Sequence, residues 1–230
     1  IDMMVQGDPN LTPDDAKRLK ALYGLDRPIL ERYAAWLGNA VQGEFGYSRN
    51  HGQPVVNVVG DRIGNTALLL GVSLVLALGL AIPVGICAAL RPYSPLDYII
   101  NMACFAGISV PPFWLALLLI ILFSVTLGWL PAGGMETVGD GGVADRLRHL
   151  ILPVVTLSIA SVGDFTRFMR ASMIQTLRQD YIRTARAKGV GVARMVIGHA
   201  LRNALIPLVT VIALSFGRLF SGALIVETMF

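Results

Sequence analysis

The sequence predicts an all-α membrane protein, and three observations carry that prediction. Hydrophobic residues make up 54% of the 230 positions and charged residues 15%, with a mean hydropathy of +0.63; soluble domains run at roughly 45–50% apolar and about 25% charged. No Asp, Glu, Lys or Arg occurs between Arg62 and Arg91, nor between Asp97 and Glu136, and about 20 mostly apolar residues cross a hydrocarbon core roughly 30 Å thick. The basic residues gather in one late segment: from Asp164 to Arg202 there are Arg167, Arg170, Arg178, Arg183, Arg186, Lys188, Arg194 and Arg202 against Asp164 and Asp180.

The charge-free gaps place two spans, at about 63–90 and 98–127. Two further apolar stretches, at about 149–173 and 203–226, are long enough to span although charge interrupts them. Residues 63–230 therefore form the membrane core. The positive-inside rule puts the basic loop, about 174–202, in the cytoplasm. With four spans, the turn Arg91–Asp97 is also inside, and Gly128–Arg148 is outside. Residues 1–62, with seven basic and eight acidic side chains, form an outer region. Within it Thr12-Pro13-Asp14-Asp15 is a helix start, with Thr12 as N-cap and Pro13 at the first helical position. That helix stops at Gly24. A second amphipathic helix, from Pro28 to about Val41, carries Ile29, Tyr33, Trp36 and Leu37 at helical spacing.

Prolines interrupt the spans. Pro83, Pro153 and Pro207 lie in the first, third and fourth, and Pro111-Pro112 breaks the second; each removes a backbone donor and crowds the preceding turn. Freed carbonyls persist at membrane depth only where protein, water or side chains satisfy them, which favours helices that line a cavity. In the basic loop, Tyr181–Lys188 reads as a short helix ended by Gly189, a residue that takes left-handed geometry at little cost. Val190-Gly191-Val192 permits a reversal. A second run, Ala193–Leu201, places Met195, Val196, Ile197 and Ala200 for partial burial. The two cysteines, Cys87 and Cys104, fall inside spans, where a thiol acts as a small apolar group.

The stretch Asp180-Tyr-Ile-Arg-Thr-Ala-Arg-Ala-Lys-Gly189, followed by His199-Ala-Leu-Arg-Asn203 and Ile206-Pro207, resembles the cytoplasmic EAA loop of ABC importer permeases. Its form is that of the dipeptide/oligopeptide (peptide/nickel) permease family, which is binding-protein-dependent. Gly24-Leu-Asp-Arg-Pro28, Gly43-Glu-Phe-Gly-Tyr-Ser48, Pro111-Pro-Phe-Trp-Leu115 and Leu127-Gly-Trp-Leu-Pro-Ala-Gly133 are similar to that family as well, so the resemblance covers essentially the whole chain. Arg183 stands where the general motif has an acid, and the interval from Gly189 to Pro207 exceeds that of sugar-type permeases; both features resemble the peptide branch. Family members are longer at both ends, which implies that the chain is part of a longer subunit.

The resemblance implies a multi-span importer helix bundle in the inner (cytoplasmic) membrane, with a coupling helix in the cytoplasmic loop and an extracytoplasmic helical N-terminal region. It implies coupling roles for Tyr181, Thr184, Ala185, Lys188, Gly189 and Arg194, which would meet the ATPase. The implied partners are a homologous second permease subunit, two cytoplasmic ATPase subunits, an extracytoplasmic substrate-binding protein and the lipid membrane, with no nucleic acid. Dipeptides or oligopeptides are the implied cargo, with nickel chelates and glutathione as alternatives carried by related importers. For the path itself the candidates are Pro111, Pro112 and Arg218, the last an arginine unusual for the family at that position. Counting helix rise from Leu150 and from Ala204 places Asp164 in the inner half of the membrane and Arg218 in the outer half, about 12 Å apart in depth.

Enzyme classes find little support. There is no GxxxxGK[S/T] phosphate loop, and Gly189-Val-Gly191 lacks the preceding strand of a dinucleotide site. His51, His149 and His199 fall in separate segments, which suggests no metal cluster. Ser158 and Ser161 lack a histidine at similar depth, as an intramembrane protease would need. A stand-alone secondary transporter would show an internal repeat or a carboxylate relay, and no repeat is evident. The expectation is a non-catalytic subunit without cofactors, driven by ATP hydrolysis elsewhere.

Overall fold

The computed structural model describes residues 26–48, 51–137, 139 and 141–230, the side chains of Asp61 and Arg218 excepted. The helix expected from Thr12 to Gly24 lies outside the described residues. The chain divides into two units, Ile1–Gly64 and Asn65–Phe230.

In the first unit α1 runs Ile29–Val41, with Glu31 in its first turn. The helix leaves Ile29, Leu30, Tyr33 and Trp36 exposed within the unit. Gly43 and Gly46 then take positive φ angles of 86° and 83°, a conformation cheap only for glycine. They lead into a two-stranded antiparallel ladder, β1 Tyr47–Ser48 and β2 Gln53–Pro54. From there α2, Val55–Leu90, begins eight residues before the apolar gap does, and it keeps Pro83 inside.

The second unit is helical. α3, Pro95–Ser109, starts at Ser94, whose hydroxyl accepts the Asp97 amide at 3.3 Å, with Pro95 in the first turn. α4, Pro112–Leu119, continues through a π-helical turn, Ile120–Thr126. α3 and α4 fill the second apolar gap, but they are bent by 94° at Val110–Pro111. A residue before proline is pushed out of helical geometry. Here two in a row are so placed, Val110 at φ −86°, ψ 120° and Pro111 at φ −60°, ψ 136°. The segment expected as one span at 98–127 is thus two short helices of different direction.

α5, Val143–Leu177, is about 52 Å long at 1.5 Å per residue and exceeds the expected 149–173 at both ends. α6, Asp180–Ala187, follows it after two residues. A single turn, α7 at Val192–Arg194, runs through a π-helical stretch, Met195–Ala200, into α8, Leu201–Met229. The run expected as a separate loop helix at 193–201 is therefore the foot of the fourth membrane helix. Nothing breaks the helical path between them, because Gly198 is tolerated there and Pro207 lies a turn and a half further on.

α5 is the element on which the unit is packed. A Cβ added to Gly85 of α2 would lie 2.8 Å from the Met169 Cβ and 2.9 Å from the Thr166 carbonyl oxygen. A Cβ on Gly163 of α5 would lie 2.7 Å from the Cys104 carbonyl oxygen of α3. Small residues at such crossings let membrane helices approach until their backbones nearly touch. Interhelical side-chain bonds add to this: Ser158 donates to the Ser73 carbonyl at 3.1 Å, and Ser172 to the Ala204 carbonyl at 2.7 Å, just before Pro207. Around α5 gather Ala77, Ala81, Phe165, Met169, Met173, Ala204 and Leu208, each at most 1% exposed.

Gly85→Ala and Gly163→Ala should each lower the stability of the purified protein by about 1–3 kcal/mol, the scale of overpacking a tight contact. Gly79→Ala, where nothing lies within 4 Å of the added carbon, should leave it unchanged. Thermal unfolding in detergent checks this; equal melting temperatures for Gly79→Ala and Gly163→Ala would refute the close-packing account.

Candidate functional site

α6 is a polar helix held by one apolar side chain. Of its eight residues only Ile182 is buried, at 0% exposure. It sits among Met173 and Leu177 of α5 and Met195, Val196 and Ala200 of the π-helical stretch. Arg183, Thr184, Arg186, Lys188 and Arg194 are exposed, Tyr181 is 42% exposed and Ala185 is half-buried. Asn203 adds a polar tie, donating to the Tyr181 hydroxyl at 2.8 Å and reaching the His199 carbonyl at 3.4 Å. The Thr184 hydroxyl turns back onto the Asp180 carbonyl at 3.0 Å.

The C-terminus of α6 closes as its glycine requires. Gly189 has φ +75°, and two bonds cap the last turn: the Gly189 amide to the Arg186 carbonyl at 3.0 Å and the Val190 amide to the Ala185 carbonyl at 3.1 Å. This pair is a Schellman cap, and Val190 supplies its apolar contact by packing toward the core. Of the apolar residues expected in the second run, Met195, Val196 and Ala200 are buried, but Ile197 is 67% exposed. Ile197 lies two residues beyond Met195, about half a helical turn round, so one helix face cannot bury both.

The α3–α4 break borders a cavity of about 170 Å³ lined by Pro112, Leu157, Ser161, Asp164, Ser215 and Leu219, among others. Pro112 of the path candidates is on this wall and Pro111 is not. The side chain of Arg218 lies outside the described residues. Asp164 lines this cavity together with Ser215 and Leu219, the positions that flank Arg218 on its helix. Among the described residues no group of three or more His, Cys, Asp or Glu is placed to share a metal ion.

One constellation escaped the sequence reading. Arg170 of α5 donates through Nε to Asp97 Oδ1 at 2.5 Å and through Nη2 to Oδ2 at 2.6 Å. The Asp97 side chain is 3% exposed and that of Arg170 is 21% exposed. The same carboxylate accepts the Tyr93 amide at 2.8 Å and the Asn101 side-chain amide at 2.8 Å. Tyr93 has φ +64°, uncommon for a residue with a side chain, and the carboxylate holds it there. Arg167, three residues earlier, lies 4.5 Å over the Phe105 ring of α3. Two of the arginines counted with the late basic segment thus bind α3. The available signal was an acid at the edge of a long charge-free gap, and it names no partner.

Helices able to span a bilayer, a proline-broken segment beside a cavity and an exposed basic helix at the end of the 35-residue membrane helix α5 form one pattern. Residues 81–230 match the family described as binding-protein-dependent transport system inner membrane component. The chain belongs to this family. It is 44% identical over 230 residues to the oligopeptide transport system permease protein AppB of Bacillus subtilis, covering 99% of this chain and 73% of that one. It is 37% identical to the di/tripeptide transport system permease protein DppB of Pseudomonas aeruginosa, covering 97% of this chain and 71% of the other. To the glutathione transport system permease protein GsiC of Escherichia coli it is 42% identical over 207 residues, or 90% of this chain and 65% of that one. This inner membrane component therefore carries the short basic helix α6 on its membrane helices.

Gly189→Val should strain the left-handed cap by about 1–3 kcal/mol without disturbing the buried Ile182. Hydrogen exchange over residues 181–194 should then speed up by roughly fivefold or more, with α5 unchanged. Unaltered exchange across that segment would show that the cap does not hold α6.

Proposed function

We propose that this inner membrane component is a non-catalytic permease subunit of an ATP-driven, binding-protein-dependent importer of dipeptides or oligopeptides. The observation that carries the reading is α6. It is a helix whose only buried side chain locks it to the feet of two long membrane helices while its other side chains remain available to a partner. Such an element transmits a push without deforming, and in this reading the pushing partner is one of two cytoplasmic ATPase subunits. Tyr181, Thr184, Ala185, Lys188, Gly189 and Arg194 shape or present the docking face.

The path runs beside the break at Pro111 and Pro112, with Arg218 on the helix that supplies Ser215 and Leu219 to the cavity wall. A cavity of about 170 Å³ is smaller than the roughly 300–1,000 Å³ of small-molecule sites. One chain thus lines part of a path that a homologous second subunit completes. An extracytoplasmic binding protein delivers cargo to the outer side, where residues 1–62 lie.

The relatives named for oligopeptides and di/tripeptides support peptide cargo, and the one named for glutathione supports a second reading, since glutathione is itself a modified tripeptide. Proteoliposomes holding the two permease subunits and the ATPases, given the loaded binding protein, decide between them. Uptake of labelled di- to pentapeptides, unaffected by excess glutathione, is expected. Uptake of glutathione alone would replace peptide import by the second reading, and uptake without ATP would reject both.

Orientation has its own test. In a Cys87→Ser, Cys104→Ala background, Val143→Cys should react with an impermeant thiol reagent from outside intact cells. Lys188→Cys should react only after permeabilisation. The reverse pattern would invert the topology and remove α6 from the ATPase side.

A further inference from the structure

α3 faces α5 along a single row of cross-links. Its residues Asp97, Asn101, Cys104, Phe105 and Ile108 recur at helical spacing and share one face. They meet Gly163, Arg167 and Arg170, which share one face of α5. The order runs in opposite senses: Gly163 is closed against the Cys104 carbonyl and Ile108, Arg167 lies over Phe105, and Arg170 clasps Asp97. The two helices are therefore antiparallel, joined by backbone contact toward one end and by a two-pronged ion pair at the other.

The position of that ion pair matters. Arg170 lies two turns before the end of α5, and two residues beyond that end the chain enters α6. Asp97 lies in the first turn of α3, and the far end of α3 is the 94° break whose Pro112 lines the cavity. A displacement of α6 therefore reaches α5 through continuous chain, and it reaches α3, whose far end is the break, across the α3–α5 seam. Apolar helix surfaces can slide past one another by small steps. A bidentate guanidinium–carboxylate pair, its carboxylate also fixed by the Tyr93 and Asn101 donors, resists sliding, because both hydrogen bonds are directional.

We infer that the Arg170–Asp97 pair is the clamp that makes α3 move with α5, so that movement of α6 is delivered to the proline break. Arg170 and Asp97 are positioning residues in this account and touch no cargo. The inference rests on the coupling reading of α6, and its test separates the two.

The complete complex in proteoliposomes, with peptide-loaded binding protein, gives both ATP hydrolysis and peptide uptake. A clamp predicts that Asp97→Asn and Arg170→Gln assemble and hydrolyse ATP under stimulation by loaded binding protein, while peptide moved per ATP falls roughly tenfold. Arg170→Lys keeps the charge but not the fork, and should fall by less, about two- to threefold. A Val110→Cys reporter should change its thiol reactivity between nucleotide-free and vanadate-trapped states in the otherwise unaltered complex and lose that change with Asp97→Asn. Uptake and hydrolysis reduced in equal proportion would mark the pair as a stability element only and overturn the inference. So would an unchanged ratio in all three variants. If Asp97→Asn and Arg170→Gln fail to assemble, the ratio and the reporter in Arg170→Lys decide. Absence of peptide-stimulated hydrolysis in the unaltered complex would instead strike at the import reading itself.

Discussion

Lipid tails are as apolar as leucine, so two membrane helices gain little from hiding oily surface against each other, and close packing with polar cross-links must hold them. In this chain both converge on α5. Its flanks receive Gly85's backbone from α2, present Gly163 to α3 and carry Ser158 and Ser172, which bond to carbonyls of α2 and α8. The remaining features follow from that geometry. α3 can turn sharply at Val110 because its base is already seated on α5. α6 can be short because it begins where α5 ends.

The Arg170–Asp97 pair illustrates how charge is tolerated in a helix contact with the carboxylate buried. Removing both groups from water is costly, and attraction alone seldom compensates unless geometry and extra hydrogen bonds are good. Here the carboxylate accepts two guanidinium donors, a backbone amide and an asparagine amide. Leaving either partner alone would cost about 3–5 kcal/mol, so the pair specifies register between α3 and α5 more than it adds stability. A slip of one residue along either helix would swing one of these groups away from the other.

Much of this architecture was legible in the residues, and the reasons are local. Charge-free gaps report hydrocarbon length directly, paired prolines report a break, and glycine after a basic helical run reports a cap; the membrane class, the interruption at Pro111-Pro112 and the positive φ of Gly189 all came from such signals. Direction and distance were not legible. Nothing local states that the break turns the chain by 94°, or that a helix from Val192 continues unbroken past Leu201. The misassignment of Ile197 came from reading apolar character without helical phase. Ile182 was overlooked because one apolar residue among polar ones looks incidental until its surroundings are known. Arg170 and Asp97 are separated by 73 positions, and nothing local in either segment points to the other.

The single anchor of α6 divides the helix into two kinds of position. Ile182 answers to the protein's own interior, where volume and shape are fixed by Met173, Met195 and Val196. The exposed side chains answer only to whatever lies opposite them. Substitution at those places alters recognition with little effect on folding, while substitution at Ile182 loosens the whole element. A handful of surface residues can therefore change the face that α6 offers, and the membrane part keeps its packing without having to be rebuilt.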